Sequence, residues 1–143
     1  MARRALLVFL AATAIGGCGE RAAAPKPDGV LIQERVAAYV GHLLAGDGAL
    51  ACAQLTPRYR RESDERAQLG GVISCAEATS LYGAAVAETM PAGFAQQASD
   101  PRRVRVTVRG DTADAAFGEG SRVTRTRVVR FQGQWLIDGL GLR

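Results

Sequence analysis

Few side chains in this sequence are reactive. There is one histidine, His42, and there are three cysteines, Cys18, Cys52 and Cys75. A metal centre takes about four such ligands, more than this set gathers, so no metal site is expected. No hydroxyl or thiol nucleophile stands beside a recognisable base. Arginine is the abundant functional group, and Lys26 is the only lysine. Arg103, Arg105 and Arg109 alternate with Val104, Val106 and Val108, which puts them on one face of a strand. Arg125 and Arg127 share a face of another. Guanidinium rows of this kind hold phosphate, carboxylate or anionic lipid headgroups. They read equally as the solvated face of a sheet in an arginine-biased chain. Arg109-Gly110-Asp111 spells an adhesion tripeptide, but a hairpin turn accounts for it.

The two ends of the chain differ in kind. Met1-Ala2-Arg3-Arg4 is basic, residues 5–15 are apolar and uncharged, and Gly16 and Gly17 precede Cys18. A basic start, an apolar core and small residues before a cleavage point form a secretory signal peptide. The apolar run falls short of the ~20 residues a spanning helix needs. Ile15-Gly16-Gly17-Cys18 resembles the lipobox of bacterial lipoproteins. That resemblance implies a leader over residues 1–17 and a lipid on Cys18. It also implies a position on the extracytoplasmic face of a cell membrane. An ordinary signal peptide with an incidental cysteine is the alternative. Losing Arg3 and Arg4 with the leader halves the formal charge of +4. So small an excess, on an exported protein, argues against nucleic acid as a partner. With Cys18 lipidated, Cys52 and Cys75 remain as a pair in a compartment that permits disulfides.

The elements that would position these groups follow. Residues 18–29, with Pro25 and Pro27, read as the lipidated cysteine and a flexible tether, and residues 30–143 as one domain. Asp28 is the expected N-cap of a helix bearing Val36, Val40, Leu43 and Leu44, with Tyr39 beside them and Gly46 at its end. His42 lies off that apolar stripe, on the flank expected to be exposed. Asp47 is expected to cap a short helix with Leu50, Cys52 and Leu55. Thr56-Pro57 is a further start signal, and residues 58–68, dense in charge, are either an exposed helix or a partly ordered loop. Gly70-Gly71 breaks that segment. Ser74-Cys75-Ala76-Glu77 reads as a capping box, opening a helix from Cys75 to about Tyr82 that Gly83 closes. Residues 84–90 are a weak strand candidate, and residues 91–101 a loop. A meander is expected next: a strand through Val104–Val108, a turn at Gly110-Asp111, a return through Ala113, Ala115 and Phe117, a long strand over 122–131, a turn at Gln132-Gly133, and a last strand over 134–140. On that strand Asp138 is expected to face away from Trp135 and Ile137.

Helices followed by a strand meander predict an α+β fold, helices on one face of an antiparallel sheet. Five stretches, taken in order, resemble the NTF2-like superfamily, the lipoproteins of that kind above all. They are Leu44-Ala45-Gly46-Asp47, Ala51-Cys52-Ala53-Gln54-Leu55, Ser74-Cys75-Ala76-Glu77-Ala78, Val108-Arg109-Gly110-Asp111-Thr112-Ala113, and the closing Phe131-Gln132-Gly133-Gln134-Trp135-Leu136-Ile137-Asp138. The resemblance covers about residues 30–142. It implies a cone, a curved sheet wrapped against N-terminal helices, often with a pocket between them. The superfamily hosts ketosteroid isomerase-like enzymes and polyketide cyclases, which use an Asp, Tyr or His inside the cone. Tyr39, His42, Tyr82, Asp114 and Asp138 are the residues here that such chemistry would draw on. No catalytic motif is matched, so no catalytic residue carries over.

Two functions compete. One is a non-catalytic, lipid-anchored module that binds a small ligand or an envelope protein, as monomer or homodimer and without a cofactor. The other is a lipid-anchored enzyme of the cyclase or isomerase kind. In the first, a pocket would lie near Tyr39, Tyr82 and Trp135, with strand arginines at its rim. A sealed or apolar interior favours binding; a polar cavity with a convergent Asp, Tyr or His favours chemistry.

Overall fold

The computed structural model describes residues 24–118 and 123–141. The expected leader, Cys18 and the first part of the expected tether lie outside these residues. The elements run α1 (Asp28–Leu44), α2 (Gly48–Ala53), α3 (Pro57–Leu69), α4 (Cys75–Thr89), α5 (Phe94–Ala98), a 3-10 turn (Pro101–Arg103), then β1 (Arg105–Arg109), β2 (Thr112–Phe117), β3 (Thr124–Phe131) and β4 (Gln134–Leu140). The strands form one antiparallel sheet in the order β1-β2-β3-β4. The fold is α+β, as expected. No helix among the described residues is long and apolar enough to cross a membrane.

Each helix start has a local cause, though not always the expected one. Pro27, not Asp28, is the N-cap of α1, so the helix begins two residues inside the stretch read as tether. Asp47 caps α2 without a side-chain bond, while Gly46 takes the left-handed conformation at φ +76°. Thr56 caps α3 as read: its Oγ1 accepts the Tyr59 N–H at 3.1 Å, and Pro57 follows. The charged segment is thus a helix, with Tyr59 and Ala67 buried. Ser74 Oγ accepts the Glu77 N–H at 3.3 Å, but the Glu77 carboxylate reaches back to the Ile73 N–H rather than closing the box on Ser74.

Helix α4 runs longer than its sequence pattern predicts. Gly83 does not close it, and residues 84–90 are no strand; the helix runs on to Thr89. The alanines of that stretch favour a helix, and Gly83 has another task. A Cβ there would lie 1.9 Å from the Leu43 carbonyl oxygen and 3.3 Å from the Gly46 Cα. Its bare backbone lets the end of α1 lie against α4. Phe94–Ala98 is a short helix within the expected loop.

The core lies between the inner sheet face and the helices. Ile32, Val36, Tyr39 and Val40 of α1 pack with Ala51, Cys52 and Leu55, and with Val104, Ala113, Ala115, Val128, Trp135 and Ile137. Each large apolar side chain fully buried there contributes about 1.5–3 kcal/mol. Cys52 and Cys75 form the expected disulfide, bridging α2 to the start of α4 with Cα atoms 6.3 Å apart. The segment after α2 also touches the sheet. Ile137 N–H donates to the Gln54 carbonyl at 2.9 Å, and Thr56 N–H donates to the Ile137 carbonyl at 2.8 Å. Leu55 thereby forms a parallel bridge on the β4 edge.

Candidate functional site

The pairing of β3 with β4 slips between Arg127 and Val128: Arg127 faces Gly139, while Val128 faces Ile137. Asp138 is the extra residue of this bulge, and a bulge re-aims its side chain. Leu140, opposite buried Thr126, therefore packs against the core instead of sharing the face of Asp138. Asp138 turns toward the start of α3. Its carboxylate accepts the Thr56 hydroxyl at 2.7 Å and an Arg58 N–H at 2.7 Å, and Arg58 also holds the Asp138 carbonyl at 2.9 Å. Partial burial opposes ionisation, but the Arg58 and Thr56 hydrogen bonds and the Arg58 charge prevail. They hold the carboxyl below its ordinary pKa. Asp138 is an ionised brace between β4 and α3, not a group poised to exchange protons near neutrality.

The three aromatics read as a pocket are not gathered around one cavity. Tyr39 is buried in the core, and burial, then its neighbours Tyr59 and Tyr82, push its hydroxyl pKa up to about 12. Tyr82 is 61% exposed. Trp135 is buried under α1, where its Nε1 donates to Asp28 at 3.0 Å and the Arg130 guanidinium lies 4.6 Å above its ring. The Trp135 hydrogen bond chiefly, and Arg130 with it, lowers the Asp28 pKa. Trp135 alone of the three borders a recess of about 300 Å³, shared with Leu31, Glu34, Arg35, Ala38 and Gln54. The charged groups there are already engaged, Arg35 with Gln54 at 2.5 Å and Glu34 with Lys26 at 2.6 Å.

The remaining acid–base candidates lie elsewhere. His42 is half-buried in the last turn of α1. Asp114 is exposed on the outer sheet face, 3.2 Å from Arg109. Tyr39, His42, Tyr82, Asp114 and Asp138 thus occupy the core, a helix end, an exposed helix surface, the outer sheet face and a sheet edge. Among the described residues, no cluster of His, Cys, Asp and Glu is arranged to hold a metal ion.

What the sheet does gather is arginine. On its outer face Arg105 pairs across with Ala116, and Ala116 with Arg125. Thr107, Asp114 and Arg127 form the next row. Arg105, Thr107, Arg109, Asp114, Ala116 and Arg125 border a trough of about 740 Å³ on this face. Alternation groups Arg103 with Arg105 and Arg109, but Arg103 belongs to the 3-10 turn before β1. Strand alternation foretold the arginine face. Nothing in sequence announced that Asp28 would reach Trp135 or that Asp138 would sit in a bulge, since both partners are remote along the chain.

The described residues define a disulfide-stapled α+β domain with its acid–base groups dispersed and a basic outer sheet face. Comparison with protein-family models, curated proteins and solved structures found no match to this chain.

Proposed function

We propose that this chain is a lipid-anchored, extracytoplasmic binding module, carried by Cys18 at the membrane surface and built as an NTF2-like cone. It captures a small ligand or an envelope protein and performs no chemistry. One observation carries this reading: the space between helices and sheet, where a cone enzyme keeps its acid or base, is filled. Ile32, Val36, Val128 and Ile137 are fully buried there. Every buried side-chain polar atom among the described residues has a hydrogen-bond partner. Both cavities open at the surface. The order of helices before a strand meander, and the paired Cys52 and Cys75 of an oxidising compartment, support the same reading.

The test uses the chain in its own cell envelope. Mass spectrometry of the mature protein should find an acylated N-terminal Cys18, and Cys18→Ser should leave precursor or release the protein. His42→Gln and Tyr39→Phe, if folded, should retain the wild-type phenotype. A mature, unlipidated N-terminus at another residue overturns the anchor. A folded His42→Gln variant that behaves like a deletion overturns the non-catalytic reading.

A further inference from the structure

The guanidinium groups of this domain differ in what engages them. Arg58, Arg102, Arg109 and Arg130 each close onto a carboxylate: Asp138, Asp100, Asp114, and both Asp28 and Asp111. Among the described residues Arg105 and Arg125 have no hydrogen-bond or ion-pair partner, and both are exposed. They are also the two charged members of one row across three strands, with Ala116 between them. Paired residues in adjacent strands point to the same side of the sheet, and strands lie ~4.8 Å apart. The two Cα atoms are therefore about 10 Å apart, within reach of two long side chains converging from opposite sides. Ala116 projects only a methyl, so the floor between them is low, and both line the trough of about 740 Å³.

We propose that Arg105 and Arg125 form a clamp over Ala116 that binds a phosphoryl anion. This deepens the binding-module reading and rests on it. Each guanidinium offers a planar pair of N–H donors matched to two oxygens of such an anion. A tetrahedral phosphate presents separate pairs of oxygens to the two forks, on opposite sides, whereas a carboxylate has a single pair of oxygens on one side. The next row sets the limit of the site. Asp114, itself paired with Arg109, repels an anion there and confines it to the Ala116 row. A free phosphate ester and the phosphate of a lipid headgroup share this chemistry.

The full-length mature lipoprotein, in nanodiscs of neutral phosphatidylcholine, is titrated with inorganic phosphate. In parallel it is placed in discs containing phosphatidylglycerol. The Ala116 amide and the Arg105 and Arg125 Nε–H resonances are followed by NMR. Saturable shifts at these three positions, weakened about tenfold by Arg105→Gln or Arg125→Gln and lost in Ala116→Leu, support the clamp. Their appearance with inorganic phosphate identifies a soluble source, and their appearance only with phosphatidylglycerol identifies a headgroup. Arg61→Gln, an arginine outside the sheet, should leave the titration unchanged. Shifts that Arg125→Gln does not alter, or that chloride at equal ionic strength reproduces, overturn the proposal. Failure of the anchor is seen separately, in the mass of the N-terminal residue, because these resonances report the clamp in a lipidated or an unlipidated chain.

Discussion

Gly83→Ala tests the packing of α1 on α4. In an exposed helix this substitution stabilises by ~1 kcal/mol, since alanine is the better helix former. Here the new methyl would sit 1.9 Å from the Leu43 carbonyl oxygen and 3.1 Å from its carbon. The obstacle is backbone, so no rotamer change relieves it. The α1 terminus and α4 must separate by more than an ångström. Overpacking of this kind costs about 1–3 kcal/mol, and the helix-propensity gain offsets only part of it. We expect a net loss of about 1–2 kcal/mol, read as a lower urea midpoint at unchanged slope with the disulfide intact. Gly29→Ala is the control: it lies in α1 at an ordinary helical φ, with nothing within 4 Å of its Cβ position. It should be neutral or stabilising by a few tenths of a kcal/mol. A Gly83→Ala protein as stable as the wild type would refute the close approach of α1 and α4.

Three further outcomes are expected. Removing the bridge in a Cys52→Ala, Cys75→Ala double variant should cost about 3 kcal/mol for a loop of this length, measured by denaturant unfolding against the oxidised wild type. Asp138 has a folded-state pKa below its unfolded value, so the stability it contributes is present above the ordinary carboxylate range and is lost as pH falls through the folded pKa. Asp138→Asn should lower stability by about 1 kcal/mol at pH 7, a small figure because Arg58 is half exposed, and should flatten the fall in stability between neutrality and acid. A steep fall retained in that variant would assign the acid sensitivity elsewhere. Asp28→Ala removes the acceptor of the Trp135 indole N–H. It should lower the denaturant midpoint slightly and change the tryptophan emission, which reports this single residue.

The parts of the fold written in local pattern were legible. Period-two alternation placed all four strands and both tight turns, because each side chain's face is set by its neighbours two residues away. Thr56-Pro57 announced α3 through a cap that spans three residues. Where local pattern misleads, the deciding contact is distant. Gly83 looks like a terminator in sequence, yet it is spared a side chain by the carbonyl of Leu43 on another helix. Asp28 looks like a cap, yet its carboxylate is committed to Trp135, over a hundred residues on. Strict alternation would put Leu140 on the face of Asp138; the bulge turns it inward. Among candidate site residues, the pairing of Cys52 with Cys75 followed from counting cysteines. The grouping of Tyr39, Tyr82 and Trp135 assumed a hollow that the packed interior does not offer them jointly.

The bridge at Leu55 has a bearing on how such a protein tolerates crowding. A sheet of four strands has two borders whose unpaired amides invite another molecule's strand and begin aggregation. On the β4 side, residues 54–56 occupy the amide and carbonyl of Ile137, so an incoming strand meets a chain already in place. On the β1 side the border carries Arg105 and Arg109, the latter paired with Asp114, and two copies approaching border to border bring their Arg105 charges together. The domain thus has one border capped at Ile137 by its own backbone and the other lined with charge.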